Sequence, residues 1–502
     1  MSAYILVPAV LFLYFYNLGL NQVWQPNEAF YAEGAKNMLK TGDFLTPVFN
    51  GELRLNKPPM TYWLTALSFY LFGLNEFALR FFQATAGLGT ALVTYLFARR
   101  LSNGRTALLS FLVLSLSFQF IANARYTSPE ILLCFFTTLS LYLWFLSYQR
   151  NSLPLLFLAL TSSAFGVLTK GPAGFLLPAS IIFIYLLLTD RRELLRLRYY
   201  VGTLYVAVTA GWWFLYQLFV NRETFVEIFL KENVKRIYAL QEDPFYFYLL
   251  DIPVSFLPYS LLFYVALLWV LRNRARRLLF PLLWFAVIFL AFTLVKMKIP
   301  VYIMPAFPAM AILTGEFLSS APQGRVVGGL SLLLSALMIL AVLASAVLFS
   351  LNLPLLLLSL TVALLPLLRR ELRLAPACAG FSLLLYLSGA ILPHLEAYRP
   401  YREIGERIRE VDPRGELRTY EIPAFHYNLP FYADRVVVRG ARLEDVKGKA
   451  LLLIREDLAE CRPLGEWELY RGSESRFFKF LMHIRKGENF ERFRLCIFSG
   501  RI

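Results

Sequence analysis

Long apolar runs separated by short polar breaks extend from Tyr4 to Leu392. A helix needs about 20 apolar residues to cross a bilayer, and runs of that length recur along the chain. Divided at charged and proline-rich breaks, the pattern predicts about thirteen membrane spans. The first run continues into Asn21 and Gln22 without a small-residue cleavage site, so we expect it to stay as an anchor. The predicted spans lie near residues 4–21, 78–98, 105–122, 129–147, 153–169, 174–188, 200–219, 253–271, 278–295, 300–317, 326–350, 353–368 and 376–393.

Two of these breaks are also compatible with a kink inside one longer helix. They are the Lys170-Gly171-Pro172 break and the Asn352-Leu353-Pro354 break. Both contain a proline, which ends or kinks a helix because it lacks an amide hydrogen.

The pattern changes near His394, where the apolar runs stop. We therefore divide the chain into a membrane domain, 1–395, and a charged C-terminal domain, 396–502. Helices predicted at Tyr401–Val411 and Leu458–Cys461 alternate with strands, which indicates a small α/β domain that caps the membrane part or helps to bind an acceptor. The predicted strands are Leu417–Ile422, Arg435–Val438, Lys449–Ile454, Trp467–Tyr470, Phe477–Met482 and Leu495–Phe498.

Charge indicates the orientation of the chain. Arginines collect in the breaks after the second, sixth, eighth and twelfth spans, and such breaks lie on the cytoplasmic side of membrane proteins. The polar loops 22–77 and 221–252 and the C-terminal domain are then expected to face outward. The formal net charge of +16 comes largely from these cytoplasmic breaks, and it also suits contact with anionic membrane lipids. No nucleic-acid-binding motif is present, so nucleic acid is not an expected partner.

The four cysteines fall into two pairs. Cys134 and Cys378 lie within predicted spans and are expected to be packing residues. Cys461 and Cys496 lie in the outer domain, where an oxidising compartment can join them. The Cys and His spacings do not resemble a zinc site.

Polar residues in the outer loops are the candidates for chemistry, because a polar segment held against a bilayer is costly unless it has a function. Asn27 and Glu28 begin a predicted helix, 28–40, that ends before Gly42, so helix capping is one explanation for both residues. Glu130 begins the fourth span on the same side, with Arg125 nearby. The predicted topology adds further outward cations and a tyrosine: Lys57, Lys170, Arg236, Lys298 and Tyr302.

Acids beside cations at a membrane surface suit a lipid-linked phosphate donor. Lysine and arginine can hold the phosphate and stabilise the charge that develops as it leaves. A carboxylate can accept a proton from an attacking hydroxyl or stabilise an oxocarbenium-like sugar.

Four motifs carry a family resemblance. The segment WxPxEAxYAExAxxMxxTGDxxxPxFNG, followed by KPPxxYWL, closely resembles the first outer loop of bacterial membrane glycosyltransferases of the protein O-mannosyltransferase and aminoarabinose (lipid A) transferase superfamily. The resemblance continues in the same order at LTKGP (168–172), KENVKRI (231–237) and KIPVYIMPAFPAMA (298–311). It implies the GT-C fold: a mainly α, polytopic membrane protein with about 13 transmembrane helices, outer juxtamembrane helices and a small periplasmic α/β domain.

The resemblance also implies residue roles. The family's first loop carries Asp-Glu facing the donor, whereas this chain has Asn27-Glu28, and Glu130 matches the second family acid. The positions that hold the donor phosphate are matched by Lys57, Lys170, Arg236 and Tyr302, with Lys298 and Arg125 as further candidates for donor binding. In the aminoarabinose branch a divalent metal has two ligands, a glutamate and a histidine. Asn56 and Asn233 occupy those two positions, so the resemblance implies that the metal site is missing or altered.

The amide at position 27 leaves three interpretations. Glu28 acts as the base, or the acceptor is already anionic, or the protein is weakly active or inactive. The leading hypothesis is an inverting transferase that moves a sugar from an undecaprenyl phosphate carrier to lipid A or the lipopolysaccharide core, on the periplasmic face of the bacterial inner membrane. Aminoarabinose, galacturonic acid, mannose and other sugars stay open. The alternatives are a protein O-mannosyltransferase-like enzyme and a non-catalytic lipid-binding or transport relative.

Overall fold

The computed structural model describes residues 6–231, 243–320, 324–458, 461–472, 474 and 477–499. Most of residues 6–396 is helical, and every predicted span coincides with a helix or a bent helix pair. The helices of this part are α1 (Leu6–Phe15), α2 (Asn27–Thr41), α3 (Met60–Phe72), α4 (Glu76–Leu101), α5 (Gly104–Ser115), α6 (Phe118–Ala124), α7 (Pro129–Arg150), α8 (Leu153–Lys170), α9 (Ala173–Thr189), α10 (Leu197–Val220), α11 (Arg222–Phe229), α12 (Phe247–Ser255), α13 (Ser260–Asn273), α14 (Leu279–Thr293), α15 (Phe307–Ser320), α16 (Arg325–Leu348), α17 (Leu353–Leu368), α18 (Ala375–Tyr386) and α19 (Leu392–Glu396).

The protein is a multi-pass membrane protein. Within the described residues, eight helices are long and apolar enough to cross a membrane, or ten if each of two bent pairs counts as one span. The bent pairs are α5 with α6, at 68°, and α12 with α13, at 120°. Helices α1, α9 and α17 are shorter and apolar. The two breaks with alternative explanations, at 170–172 and 352–354, both separate distinct helices.

The C-terminal domain is a five-stranded mixed sheet with helices packed against it. The strand order is β4 (Val437–Val438), β3 (Arg418–Ile422), β5 (Lys449–Arg455), β7 (Phe490–Ser499) and β6 (Gly465–Tyr470). Strand β3 pairs in parallel with β4 and β5, and β7 pairs antiparallel with β5 and β6. Cys461 and Cys496 form a disulfide, whereas Cys134 and Cys378 are buried free thiols, as expected. The helices are α20 (Tyr401–Val411), α21 (Leu429–Ala433) and α22 (Phe477–Lys486), and the outer loop adds a hairpin of β1 (Val48–Phe49) and β2 (Glu52–Leu53).

One predicted strand is wrong. The segment 477–482 opens helix α22, and its buried side chains are Phe480, Leu481 and Ile484. These positions follow the i, i+1, i+4 spacing of one helix face, not the alternation of a strand. The predicted helix at 458–461 is only partly described, and a 3-10 turn covers Glu456–Leu458.

Helix α2 and the C-terminal domain share one hydrophobic core. Ala29, Ala32 and Ala35 of α2 are buried in the same cluster as Ile404 and Leu453. Because the small alanine side chains allow close approach, this face of α2 lies directly against the C-terminal domain.

Polar contacts fix the same interface. The Lys36 ammonium donates to the carbonyl of Phe431 at 2.7 Å and pairs with Asp434 at 2.9 Å. The Asn50 amide donates to the Val437 carbonyl at 2.9 Å, and its oxygen accepts the Val437 N–H at 2.8 Å. The loop between α2 and α3 therefore bonds to the edge strand β4 of the C-terminal sheet.

Candidate active site

A cavity of about 710 Å³ lies where the outer loop, the helix ends and the C-terminal domain meet. Segments from far apart in the sequence form its wall, as the predicted topology requires. Helix α22 contributes Phe477 and Phe478, so the C-terminal domain is part of the wall. Among the predicted site residues, the cavity is lined by Asn27, Lys57, Arg125, Glu130, Lys170 and Tyr302.

A second cavity of about 460 Å³ adjoins the first. Its wall is mostly apolar and includes Leu176, Leu177, Trp213 and Phe292. The polar residues that border both cavities form what we call the shared rim: Asn56, Lys57, Glu130, Lys170 and Tyr302.

The Glu130–Lys170 pair is at the centre of the shared rim. The Lys170 ammonium lies 2.8 Å from the Glu130 carboxylate, and the two side chains are 16% and 14% exposed. Lys170 also lies over the Tyr302 ring, 4.7 Å from its centroid. An ammonium held by one carboxylate and one aromatic face keeps hydrogen-bonding capacity for a phosphate, because it has three donors.

Local sequence places both members of this pair. Pro129 opens α7, and Glu130 lies in its first turn, where the helix dipole favours an acid. Lys170 ends α8 and is followed by Gly171 at φ 74°, a conformation that favours glycine. The return into α9 is tight, since a Cβ on Gly174 would lie 2.0 Å from the backbone of Gly166. These helix ends therefore bring Glu130 and Lys170 to the same cavity.

Asn27 and Glu28 point in different directions from the start of α2. The helix begins at Asn27 after Pro26, and Asn27 is the first helical residue and not the expected N-cap. Adjacent residues are about 100° apart around a helix, and of these two only Asn27 faces the cavity. Asn27 lines the cavity and is exposed, whereas Glu28 is fully buried. Gly42, at φ 74°, follows the end of the helix, as predicted.

The structure corrects the expected role of Glu28 as a base. Its carboxylate accepts two bonds from the Arg80 guanidinium, at 2.7 and 2.9 Å. It also accepts the backbone N–H groups of Trp24 at 2.9 Å and Thr127 at 3.0 Å. The carboxylate is fully buried and accepts four hydrogen bonds, so a substrate cannot reach it. Its role is structural, because it connects α2, α4 and the loop before α7.

Lys298 is a second correction. Its ammonium donates to the Asp243 carbonyl at 2.9 Å, and its own N–H donates to the Asp243 carboxylate at 2.8 Å. Lys298 is 8% exposed and does not border either cavity. It therefore connects two loops instead of facing the donor.

Arg125 reaches the cavity, but backbone oxygens occupy much of its guanidinium. It donates to the carbonyls of Leu13, Tyr14 and Tyr16, at the end of α1. These contacts satisfy carbonyls that a helix end leaves without partners. Arg236 and Asn233 lie outside the described residues, so their expected roles stay predictions.

The expectation of a missing or altered metal site stays a prediction, because Asn233 lies outside the described residues. The described residues contain no group of three or more His, Cys, Asp and Glu side chains able to hold a metal ion. The Asn56 side-chain oxygen accepts a hydrogen bond from Arg54 at 3.4 Å. We therefore derive no catalytic step through a metal.

Sequence reasoning missed three residues of the site: Tyr31, Arg54 and Arg80. Arg80 had a usable signal, because an arginine inside an apolar run requires a buried partner. Arg54 lies three residues before Lys57 in the same polar loop, and only the folded loop shows that both face the cavity. Burial raises the pKa of the Tyr31 hydroxyl well above its usual range, so Tyr31 is a neutral hydrogen-bonding group.

Comparison with known proteins identifies the class. A profile of the dolichyl-phosphate-mannose-protein mannosyltransferase family matches residues 2–226. An uncharacterized protein of Aquifex aeolicus is 57% identical over 98% of both chains. An undecaprenyl phosphate-alpha-4-amino-4-deoxy-L-arabinose arabinosyl transferase of Pseudomonas fluorescens is 30% identical over 62% of this chain, which corresponds to only 56% of that relative's length.

The fold agrees with these relatives. The crystal structure of ArnT from Cupriavidus metallidurans bound to undecaprenyl phosphate superimposes with a TM-score of 0.78 over 98% of this chain and 97% of that one, at 23% identity. The chain therefore has the GT-C fold, and its first half resembles the membrane glycosyltransferases that include the protein O-mannosyltransferases and the aminoarabinose transferases.

Proposed function

We propose that this glycosyltransferase takes its sugar from a polyprenyl phosphate, namely undecaprenyl phosphate, and transfers it to lipid A or the lipopolysaccharide core. The observation that carries the proposal is the pair of cavities that meet at the shared rim. A polyprenyl phosphate sugar has an apolar tail, an anionic phosphate and a polar sugar in that order. The smaller, more apolar cavity, the cations of the rim and the larger cavity, which has more polar residues in its wall, have matching chemistry in the same order.

In the proposed reaction the bond between the sugar's anomeric carbon and the phosphate oxygen breaks, and a bond from that carbon to an acceptor oxygen forms. The polyprenyl phosphate leaves with the electron pair, and Lys57 and Lys170 stabilise its charge. The cavity then needs a base only if the acceptor oxygen carries a proton. The described lining of the larger cavity contains two carboxylates, Glu130 and Glu474.

Glu130 is the better base of the two by position. Glu474 pairs with the fully buried Arg399 at 2.9 Å and is itself fully buried. Glu130 borders both cavities, close to where the anomeric carbon would lie. Because Asn27 cannot accept a proton as a carboxylate does, an acceptor that is already anionic also suits this site.

We place the reaction on the periplasmic face of the bacterial inner membrane. The arginine-rich breaks of the sequence support this orientation. The Cys461–Cys496 disulfide supports it too, because structural disulfides persist in oxidising compartments.

The test is turnover of defined donors by the purified protein in proteoliposomes. Free undecaprenyl phosphate should appear when the protein is given its cognate undecaprenyl phosphate sugar and lipid A. Lys170→Met should reduce that rate by about 100-fold or more, because it removes a charge that stabilises the leaving phosphate. Lys40→Met is the matched control, since Lys40 is 47% exposed and does not border either cavity.

The result also separates the alternatives. Release of undecaprenyl phosphate from no donor in a broad screen would favour the non-catalytic lipid-binding relative and overturn the proposal. Mass spectrometry of deletion cells distinguishes the acceptors. A sugar missing from lipid A supports the proposal, whereas a sugar missing from surface proteins supports a protein O-mannosyltransferase-like enzyme.

A further inference from the structure

Arg54 is a cation of the larger cavity that the proposed reaction leaves without a role. It lies between β2 and α3, three residues before Lys57. It lines the larger cavity but not the apolar one, whereas Lys57 borders both. Arg54 therefore faces the side of the rim away from the proposed prenyl tail.

Neutral groups hold the Arg54 guanidinium in place. It stacks on the Phe30 ring, 3.3 Å from the centroid, and donates to the Asn56 oxygen at 3.4 Å. Phe30 is supported in turn, because Phe49 and Tyr427 pack edge-on against it with centroids 4.7 and 5.3 Å away. Tyr427 belongs to the C-terminal domain, so both domains fix the surface under Arg54.

Arg54 differs in this respect from its charged neighbours. Arg80 pairs with Glu28, Lys170 pairs with Glu130, and Arg125 donates to three backbone carbonyls. Within the described residues, Arg54 forms no salt bridge with a carboxylate. A guanidinium stacked on a ring keeps its edge available for in-plane hydrogen bonds, which is the geometry that binds carboxylate and phosphate.

We propose that Arg54 binds an anionic group, a phosphate or a carboxylate, on the substrate that occupies the larger cavity, and so selects charged substrates. This inference rests on the proposed function, because it assigns the larger cavity to the acceptor and the transferred sugar. The position of Arg54 favours the acceptor as the source of the anion. An acidic sugar on the donor is the other source with the same chemistry.

The experiment compares wild type, Arg54→Lys and Arg54→Gln in proteoliposomes with two acceptors, bisphosphorylated lipid A and its dephosphorylated form. Loss of a charge-assisted hydrogen bond should raise KM for the phosphorylated acceptor by about 10- to 150-fold in Arg54→Gln, with kcat nearly unchanged. Arg54→Lys should recover part of this loss, because it keeps the charge but not the planar fork. KM for the dephosphorylated acceptor should be the same in all three proteins.

The matched control is Arg439→Gln. Arg439 also lies over an aromatic ring, 5.8 Å from the Phe425 centroid, but it pairs with Glu52 and does not border the larger cavity. It should leave both KM values unchanged. Thermal stability of each variant, measured by size-exclusion chromatography after heating, shows whether a change in KM comes from misfolding.

Two further measurements identify the source of the anion and keep the two proposals distinct. If Arg54→Gln weakens use of an undecaprenyl phosphate uronic acid but not of a neutral-sugar donor, the anion is on the sugar. Binding of bisphosphorylated lipid A without donor tests the acceptor directly and does not require turnover. The role of Arg54 would be overturned if the folded Arg54→Gln protein kept the wild-type KM for every substrate and the wild-type lipid binding. The proposed reaction alone would be overturned if the wild-type protein bound lipid A but released no undecaprenyl phosphate.

Discussion

Two acid–cation pairs lie near the larger cavity, and they differ in solvent exposure and in the number of hydrogen bonds that the carboxylate accepts. The Glu28–Arg80 pair is 0% and 2% exposed, and each carboxylate oxygen accepts two hydrogen bonds. The Glu130–Lys170 pair is 14% and 16% exposed and borders both cavities. Sequence alone treats the two acids alike, as outward carboxylates near cations. The comparison indicates that a buried carboxylate with every oxygen satisfied is structural, whereas a carboxylate at the wall of a cavity is a candidate for chemistry.

The largest expected effect comes from breaking the buried pair. Glu28→Gln leaves the Arg80 charge without a counterion in the interior, which costs about 3–5 kcal/mol. We expect a marked fall in the yield of folded protein and in its melting temperature in detergent.

Glu130→Gln is the matched change at the other pair. It should keep near-normal thermal stability and lose sugar transfer to an acceptor oxygen that carries a proton. The comparison would fail if Glu28→Gln were as stable as wild type but inactive, because Glu28 would then act in the chemistry.

A third acid provides an intermediate case. Glu33 is 4% exposed, and one of its oxygens accepts the Asn50 N–H at 3.0 Å. Burial raises the pKa of Glu33 to about 7, although Lys36 partly opposes this shift. Because the folded pKa lies above the unfolded value, folding favours the protonated acid. Its contribution to stability is therefore complete below the unfolded pKa of about 4.5 and is lost as pH rises through about 7.

Glu33→Gln should remove that pH dependence. Between about pH 4.5 and 7, the wild type should lose unfolding free energy relative to the variant by up to about 1.4 kcal/mol per pH unit, the limit for one proton. Melting temperatures of both proteins across this range test the expectation. Parallel curves would show that Glu33 ionises normally in the folded protein.

The smallest expected effect on activity is at Lys298. Lys298→Met removes the contact with the Asp243 carbonyl but no group of the shared rim. Turnover should stay within about twofold of wild type, and stability should fall by about 1–2 kcal/mol. The measurement is KM for the donor in wild type and in Lys298→Met. A large rise in this KM would show that Lys298 binds the donor phosphate.

Much of the architecture was predictable from the sequence. Apolar run length is a strong signal in a membrane protein, so all the predicted spans coincide with helices. Topology then places loop residues on one side, which brought Lys57, Glu130, Lys170 and Tyr302 together in the prediction and in the structure.

Side-chain direction was not predictable. Whether Asn27 or Glu28 faces the cavity depends on where α2 begins and how it rotates against α4, which composition does not specify. Lys298 was misassigned for a similar reason, because its partner Asp243 comes from a different loop. The strand error at 477–482 arose from a short apolar run, for which helical and strand patterns are hard to distinguish.

The contacts of Arg399 bear on when, during synthesis, the wall of the larger cavity can form. This fully buried guanidinium lies 4.0 Å from the centroid of the Trp24 ring and donates to the carbonyls of Gln22 and Val23, near the start of the chain. Trp24 itself lines the larger cavity, together with Phe478. A ribosome must therefore finish nearly the whole polypeptide before the cavity gains its last wall. A nascent chain already inserted in the bilayer would still be open on that side.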